Sequence, residues 1–345
     1  MRNWRSVWLI VLVLVLTLAV GSGVRAARAQ PTTATARQVR AAAALAWLHT
    51  QQQEDGSFGT AWGVTADAVY VIGRYVQAYG VPEEAPDGPR WTRNGRSALD
   101  ALAAQTPAIV ASGDGGQIAK VLRAVVAAGK DPRQFAGYDL VAALQAAYNP
   151  DTGRYHPTNN FRHALAVEAL ALAGEPVPDA AIRALFAEQR PSGAWGWPYG
   201  GTAVDVDTTG LALEALDLAG VPDDDPRIRA AVEYLRTTQD AGGGWAFHPD
   251  YPPNCNSTAY ALRGLIASGE DPTRPPYTAR NPDGTWRNAP AALLSFQDVD
   301  GGFRWTARAA GTRVLSTSDA LIALSIPWPG DHPLSRSLYL AHVVR

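Results

Sequence analysis

The hydrophobic positions of the chain recur with helical spacing in pairs of segments along almost its whole length. The second segment of each pair is apolar nearly all round, as in 211–216, whereas the first also carries charged residues such as Arg229 and Glu233. A helix that is apolar all round is typically buried, and an amphipathic helix lies at the surface. We therefore predict an inner layer made of the second helices and an outer layer made of the first. The first segments are 41–48, 97–104, 139–147, 180–188, 228–237 and 291–296.

Glycine and proline mark the ends of the second segments. A glycine can close a helix in the left-handed conformation, and a proline shortly after it cannot continue the helix. A sixth segment, 318–325, ends before Pro327 without the glycine. This punctuation predicts twelve helices in six hairpins, an all-α fold with the architecture of an α/α toroid over residues 36–330, followed by a tail at 331–345. An open solenoid is the alternative. The glycines, 45 to 49 residues apart, are Gly80, Gly129, Gly174, Gly220 and Gly269.

A second signature lies between the two helices of most pairs: an amide residue, a glycine four positions later, and an aromatic residue two positions after that. The amide can donate and accept hydrogen bonds at the turn, the glycine permits a tight turn, and the aromatic ring covers the joint between hairpins. These positions are Gln52/Gly56/Phe58, Asn149/Gly153/Tyr155, Gln189/Gly193/Trp195, Gln239/Gly243/Trp245 and Gln297/Gly301/Phe303.

These turns resemble the QW-type repeats of squalene and terpenoid cyclases and the related repeats of protein prenyltransferase β subunits. The resemblance covers roughly residues 41–327 and implies an α6/α6 toroid. The same toroid occurs in cobalamin carriers and in complement thioester domains, so it specifies architecture better than activity. A cobalamin-carrier-like binding protein therefore stays open as an alternative.

The segment 205–209 resembles the Asp-x-Asp-Asp-Thr motif of class II terpenoid cyclases, in which an aspartic acid protonates an alkene or epoxide. The resemblance implies that Asp207 is the general acid and Asp205 its supporting partner. An alkene is a very weak base, so the acid must be kept protonated by neighbouring charge and burial. Thr208 stands where the motif has a further aspartate. A cyclase-like isomerase or lyase using Asp207 is thus the enzymatic alternative, and a carbohydrate-active barrel with Asp205 and Asp207 as acid and base is a third.

A closed ring would place ligand contacts at the N-termini of the inner helices and in the turns that lead into them. Polar and aromatic residues there predict a cavity for an apolar, isoprenoid-like small molecule, with neither cofactor nor metal. Helix capping and the covering of joints explain the same residues structurally, as they do Asn256 and Asp319. The candidate ligand-binding residues are Asp67, His163, Thr209, Trp197, Phe247 and Trp305.

Charge and cysteine content limit the classes of partner and metal site that the chain could have. Lys and Arg number 30 against 32 Asp and Glu, so the chain lacks the basic footprint of a nucleic-acid-binding protein. The one cysteine, Cys255, allows no intramolecular disulfide and no multi-cysteine metal cage. The prenyltransferase zinc set has an aspartate two residues before its cysteine, and Pro253 stands there instead.

The first 29 residues have the pattern of a secretory signal peptide. Arg2 and Arg5 precede the apolar run 7–20, and Ala27 and Ala29 stand at the spacing of a cleavage site. We therefore predict a secreted or extracytoplasmic protein. The alternative is an uncleaved segment that anchors the protein close to a membrane.

Overall fold

A computed structural model describes residues 33–329 of the chain. Residue contacts divide the chain into two units, Met1–Ala36 and Arg37–Arg345, and the helical ring belongs to the second. The odd-numbered helices are α1 Thr33–Thr50, α3 Ala98–Ala111, α5 Leu140–Ala146, α7 Asp179–Ala187, α9 Pro226–Thr238 and α11 Ala289–Leu294. The even-numbered helices are α2 Trp62–Tyr79, α4 Gly115–Ala127, α6 Asn160–Leu172, α8 Val206–Leu218, α10 Cys255–Ala267 and α12 Arg313–Ser325.

The even-numbered helices form a closed inner ring. Each packs against the even-numbered helices before and after it, and α12 packs against α2. In α10, twelve of thirteen residues are buried, as expected for a helix of the inner layer. Gly210 and Gly264 let α8 and α10 approach closely, because a Cβ at Gly210 would lie 2.2 Å from the carbonyl oxygen of Tyr260. The all-α toroid predicted from the sequence is confirmed, and the closed ring excludes an open solenoid.

Hydrogen bonds between the first and last hairpins fasten the ring. The Tyr79 hydroxyl donates to the Leu324 carbonyl at 2.6 Å, and Arg37 Nη1 donates to the Ile326 carbonyl at 3.0 Å. These contacts bring the beginning of α1 to the end of α12.

Four glutamines each join one hairpin to the next, at four of the six joints of the ring. The side-chain amide of each donates to the carbonyl of its own turn glycine and to a carbonyl in or before the next outer helix. The last of them reaches α1, so the closing joint has the same bonds as the others. The pairs are Gln52 with Gly56 and Trp91 (3.1 and 2.7 Å), Gln189 with Gly193 and Arg227 (both 2.7 Å), Gln239 with Gly243 and Tyr277 (3.0 and 3.1 Å), and Gln297 with Gly301 and Arg40 (both 2.9 Å).

The turn of the third hairpin carries Asn149, whose side chain is one methylene shorter. Its Oδ1 accepts from the backbone amides of Asp151 and Thr152 inside the same turn. The turn glycine has a second role at all five joints: Gly193, for example, has φ +87° and a Cβ there would lie 2.2 Å from the Ala230 carbonyl. Glycine is required both by this backbone conformation and by the approach of the neighbouring helix.

The aromatic residues of these turns are buried at the joints, as the sequence predicts. Trp195 and Trp245 are fully buried, and their indole N–H groups donate to the carbonyls of Leu185 and Leu235 at 2.8 and 2.7 Å. Satisfying the indole donor lets a large side chain lie in the core without a desolvation penalty.

Two short antiparallel ribbons interrupt the helices, where the sequence offered no convincing strand. They are β1 Thr92–Arg93 with β2 Arg96–Ser97, and β3 Thr278–Arg280 with β4 Trp286–Asn288. Both lie in connections that enter an outer helix. The Pro82–Glu84 and Pro89–Trp91 turns of 3₁₀ helix precede the first ribbon.

The predicted signal peptide, 1–29, and the tail, 331–345, lie outside the described residues. Within 33–329, no helix is both long enough and apolar enough to cross a membrane.

Candidate functional site

Five buried side chains fill the middle of the ring. Arg123 donates to Glu168 at 3.0 Å, and Arg263 pairs with Glu214 and lies 3.6 Å from Glu168. Tyr70 contributes its hydroxyl to Glu168 at 3.4 Å, and its ring lies 4.4 Å below the Arg123 guanidinium. Buried charges need such partners, since an unpaired one carries a large desolvation penalty. These side chains therefore divide the cavity that the sequence predicts.

Two cavities lie on either side of Arg123, which lines both. The one at the C-terminal ends of α2, α4 and α6 has a volume of about 420 Å³. The other, at the N-terminal ends of the inner helices, has about 720 Å³, within the range of small-molecule sites. All six inner helices contribute to the larger one, through Asp67, Lys120, Arg123, Phe161, Asp207, Asn256, Ser257, Tyr260, Ser316 and Asp319 among others. We call it the central cavity.

Asp205 caps α8. One of its oxygens accepts from the Thr208 amide at 2.6 Å, and the other accepts from the Thr208 hydroxyl and the Trp197 amide, both at 3.0 Å. The capping expected of an N-terminal aspartate thus accounts for Asp205. With its oxygens occupied, Asp205 is poorly placed to act as a second acid or base beside Asp207.

Asp207, two residues further along α8, lines the central cavity. Within the described part of the chain its Oδ1 is buried and has no hydrogen-bond partner. Burial is the largest cause that raises the pKa of Asp207, and the nearby charges of Asp205 and Asp319 also raise it, whereas a hydrogen bond from Ser257 lowers it. Together these effects bring the pKa from 3.8 to about 8. The carboxyl is therefore largely protonated at neutral pH and can donate a proton into the cavity.

Asp319 of α12 lines the same cavity, although the sequence is equally consistent with a capping role for it. The Asn256 amide donates to Asp319 Oδ2 at 2.6 Å, and the Ser316 hydroxyl donates to Asn256 Oδ1 at 3.0 Å. Burial and the charge of Asp67 raise the pKa of Asp319 to about 6, so at neutral pH it is mostly ionised.

The opposite wall of the central cavity is built by α2 and α4. Asp67 accepts from Lys120 at 2.8 Å and from Arg123 at 3.1 Å. This wall couples the cavity to the buried ion cluster, because Arg123 belongs to both.

Aromatic and aliphatic side chains surround the mouth of the central cavity. Phe247, Tyr251 and Trp305 line it and remain 37%, 61% and 43% exposed. Deeper, the rings of Phe161 and Tyr260 pack edge-to-face with centroids 5.8 Å apart. Exposed aromatic rings around a concave site are typical of ligand recognition.

Three residues predicted as ligand contacts lie elsewhere. His163 is fully buried, with Nδ1 accepting from the Tyr155 amide at 3.3 Å and Nε2 3.0 Å from the Ala181 carbonyl. Burial lowers its pKa to about 4, so it stays neutral and holds a joint together. Thr209 bonds the Asp205 and Trp195 backbones. Trp197 is half exposed and is not among the residues lining the cavity.

Cys255 opens α10 and is fully buried, with Sγ 3.4 Å from the Ser316 carbonyl. Burial raises the pKa of this thiol well above 9.0, which keeps it un-ionised. Among residues 33–329, no three His, Cys, Asp or Glu side chains are grouped so that they could hold a metal ion.

Comparisons with known proteins match the fold but not the sequence. No protein-family model matches the chain, and a search of curated proteins finds no match. Among solved structures, the type II terpene cyclase MstE from Scytonema has a TM-score of 0.57 and 17% identity, over 85% of this chain and 98% of that one. An MstE variant in complex with geranylgeranyl dihydroxybenzoate, its substrate, has a TM-score of 0.55 and 17% identity, over 85% and 97%. A glycosidase variant has a TM-score of 0.53 and 16% identity, over 84% and 96%.

At these identities the likeness establishes the fold alone. The chain has a terpenoid cyclase-like fold. It also spans nearly all of MstE, so one toroid of this size is the extent of that cyclase chain.

Proposed function

We propose that the central cavity binds an apolar, isoprenoid-like small molecule. The observation that carries this proposal is a cavity of about 720 Å³ bordered by Phe161, Phe247, Tyr260 and Trp305. Such rings bury hydrocarbon and stabilise cations on their faces. The MstE complex, in which the same fold holds a geranylgeranyl compound, supports this ligand class.

Acid catalysis is the second candidate function, and Asp207 favours it specifically. Its pKa of about 8 keeps it protonated at neutral pH, and its unbonded buried Oδ1 lies on the cavity wall, so it can serve as a general acid toward a bound molecule. In this reaction Asp207 donates the proton, and the aromatic rings stabilise the carbocation that forms. The enzyme would be a terpenoid cyclase-like isomerase or lyase.

Native mass spectrometry of the purified full chain tests the binding proposal. We expect a co-purifying small molecule of isoprenoid mass, or uptake of added geranylgeraniol or squalene. A bound oligosaccharide would instead support the carbohydrate-active alternative that the glycosidase likeness suggests. Uptake of none of these isoprenoids would refute the proposed ligand class.

Incubation of the protein with geranylgeraniol, squalene and geranylgeranyl dihydroxybenzoate tests catalysis, with products followed by gas or liquid chromatography and mass spectrometry. Asp207→Asn should reduce product formation by roughly 10²-fold or more, since general acids contribute on this scale. The control is Asp250→Asn, because the Asp250 side chain is 85% exposed and lies outside the cavity. Unchanged turnover in Asp207→Asn would exclude Asp207 as the acid.

Export is part of the proposal and is supported by the signal-like pattern of residues 1–29. Cell fractionation followed by N-terminal sequencing should find a mature protein beginning near Gln30 outside the cytoplasm. An intact N-terminus in the membrane fraction would favour the uncleaved anchor.

A further inference from the structure

We propose that Asp319 is a second catalytic carboxylate, the base that removes the final proton from the carbocation that Asp207 generates. This inference rests on the catalytic form of the proposed function. It assigns to α12 a role that the motif-like segment 205–209 does not fill.

The carboxylates of Asp207 and Asp319 line the central cavity on either side of α10. Helices α8, α10 and α12 are consecutive members of the inner ring. Asp207 lies on α8 and Asp319 lies on α12, so α10 stands between them. Between them, two adjacent residues of α10 serve one carboxylate each. Ser257 hydrogen-bonds to Asp207, and Asn256 donates to Asp319 at 2.6 Å. Both carboxylates therefore face the central cavity from either side of α10.

The partner of Asp207 must come from outside its own segment. Asp205 is engaged as the helix cap, and Thr208 contributes its amide and hydroxyl to that cap. Asp319 is the cavity-lining carboxylate whose charge acts on Asp207. Its orientation is fixed by Asn256, which Ser316 holds in turn.

The two groups differ in protonation. The pKa of Asp207 is raised to about 8, whereas that of Asp319 is raised only to about 6. Asp67 on α2 raises the pKa of Asp319, whereas Lys120 on α4 and the Asn256 amide and Arg263 on α10 lower it. Tyr260 and Cys255, also on α10, face Asp319 as neutral groups. At neutral pH the site thus holds one acid and one base, the arrangement expected of an acid–base pair.

The chemistry balances with these two groups. Asp207 gives its proton to one alkene carbon, the π electrons form the new C–H bond, and a cation is left on the neighbouring carbon. A second double bond of the same molecule attacks that cation and closes a ring. The Asp319 carboxylate then takes a proton from a carbon beside the final cation, and that C–H electron pair becomes a new double bond. Solvent at the open cavity mouth returns the proton from Asp319 to Asp207, so the net reaction is an isomerisation.

The experiment compares Asp319→Asn, Asp319→Glu and the wild type with geranylgeraniol, squalene and geranylgeranyl dihydroxybenzoate. The wild type should show a bell-shaped pH profile of kcat/KM, with limbs near the pKa values of about 6 and about 8. Asp319→Asn should lose roughly 10²-fold in formation of the alkene product and lose the low-pH limb. Hydroxylated products should replace the alkene, because water then captures the cation. Asp319→Glu should restore part of the alkene.

Each alternative outcome has a definite meaning. Alkene formation and a low-pH limb that persist in Asp319→Asn overturn the role of Asp319 while the function of Asp207 stands. No product from the wild type with any probe refutes the catalytic function and the role of Asp319 with it. Far-ultraviolet circular dichroism and isoprenoid uptake separate a folding defect from a chemical one. If Asp319→Asn is unfolded, the Asp319→Glu variant decides, since a pH profile unshifted from the wild type would also overturn the proposal.

Discussion

Replacement of Asp207 by asparagine should change how the free energy of unfolding depends on pH. Burial is the main cause that raises the pKa of Asp207 from 3.8 to about 8 in the folded protein. Between these values the unfolded chain releases a proton that the folded protein keeps. Below the pKa of Asp207 in the unfolded chain, this difference in protonation costs the wild type no stability. As the pH rises from there towards the pKa of Asp207 in the folded protein, the free energy of unfolding of the wild type decreases.

The size of the effect follows from the width of that window. Each pH unit inside it costs ~1.4 kcal/mol, so a rise from about pH 5 to about pH 8 costs the wild type ~4 kcal/mol. Asparagine has nearly the shape of the protonated carboxyl and does not titrate, so Asp207→Asn escapes this loss. Solvent reaching the cavity screens the ionised carboxylate and makes ~4 kcal/mol an upper bound.

Urea unfolding followed by circular dichroism at both pH values measures the difference. The stability of Asp207→Asn relative to the wild type should increase between the lower and the higher pH. Asp319 titrates in both proteins, so its own contribution largely cancels, and Asp250→Asn should parallel the wild type. A constant difference between Asp207→Asn and the wild type across this range would refute the raised pKa and the reasoning built on it.

Two further substitutions test the architecture. Gln297→Ala removes the hydrogen bond within the last turn, to the Gly301 carbonyl, and the two that join this turn to Arg40. It should lower the free energy of unfolding by ~1–3 kcal/mol in urea titrations. Gln51→Ala, at a residue whose amide donates to its exposed neighbour Thr50, should change it by less than ~0.5 kcal/mol, and equal losses would contradict the role of the joint. Arg263→Met removes the buried ion pair between Arg263 and Glu214 and should cost ~3–5 kcal/mol, whereas the double substitution with Glu214→Leu should recover much of it. A double-mutant cycle with no coupling would show that the two side chains do not stabilise each other.

The fold could be predicted because its information is local and repeated. Each glycine that ends an inner helix acts on its own helix, and each glutamine of a turn bonds the turn glycine four residues away as well as the next hairpin. The second hairpin lacks the turn signature, yet its inner helix α4 packs against α2 and α6 as the other inner helices pack against their neighbours. The short ribbons before α3 and α11 were missed because two or three paired residues leave no periodic pattern.

The site could be predicted only in part, for a physical reason. Asp207 belongs to a continuous motif, whereas Asp319 acquires its properties from Asp67 and Asn256 on other helices. His163 has the same sequence context as a cavity residue, but the neighbouring joint supplies partners for both of its nitrogens. Which surface a side chain faces depends on the rotation of its helix about the helix axis. The spacing of hydrophobic residues determines that rotation only to within about one residue.

The central ion cluster left no trace in the sequence. Arg123, Glu168, Glu214 and Arg263 lie on four different inner helices, and their charges meet only after these helices have assembled. Nothing in the sequence around any one of them indicates which partner it will have. Their pairing becomes apparent only once the ring is closed.

The joint between α11 and α1 closes the ring in the way that other joints do, so the ring could be opened at a different connection without changing its architecture. Gln297 reaches Arg40 with the bonds that Gln189 makes to Arg227, although one pair is 257 residues apart in sequence and the other 38. Arg37 already hydrogen-bonds the carbonyl of Ile326, so a short linker could connect these two points. New ends opened between α6 and α7 would leave every hairpin whole. A circularly permuted gene would thus encode the same ring read from a different starting point.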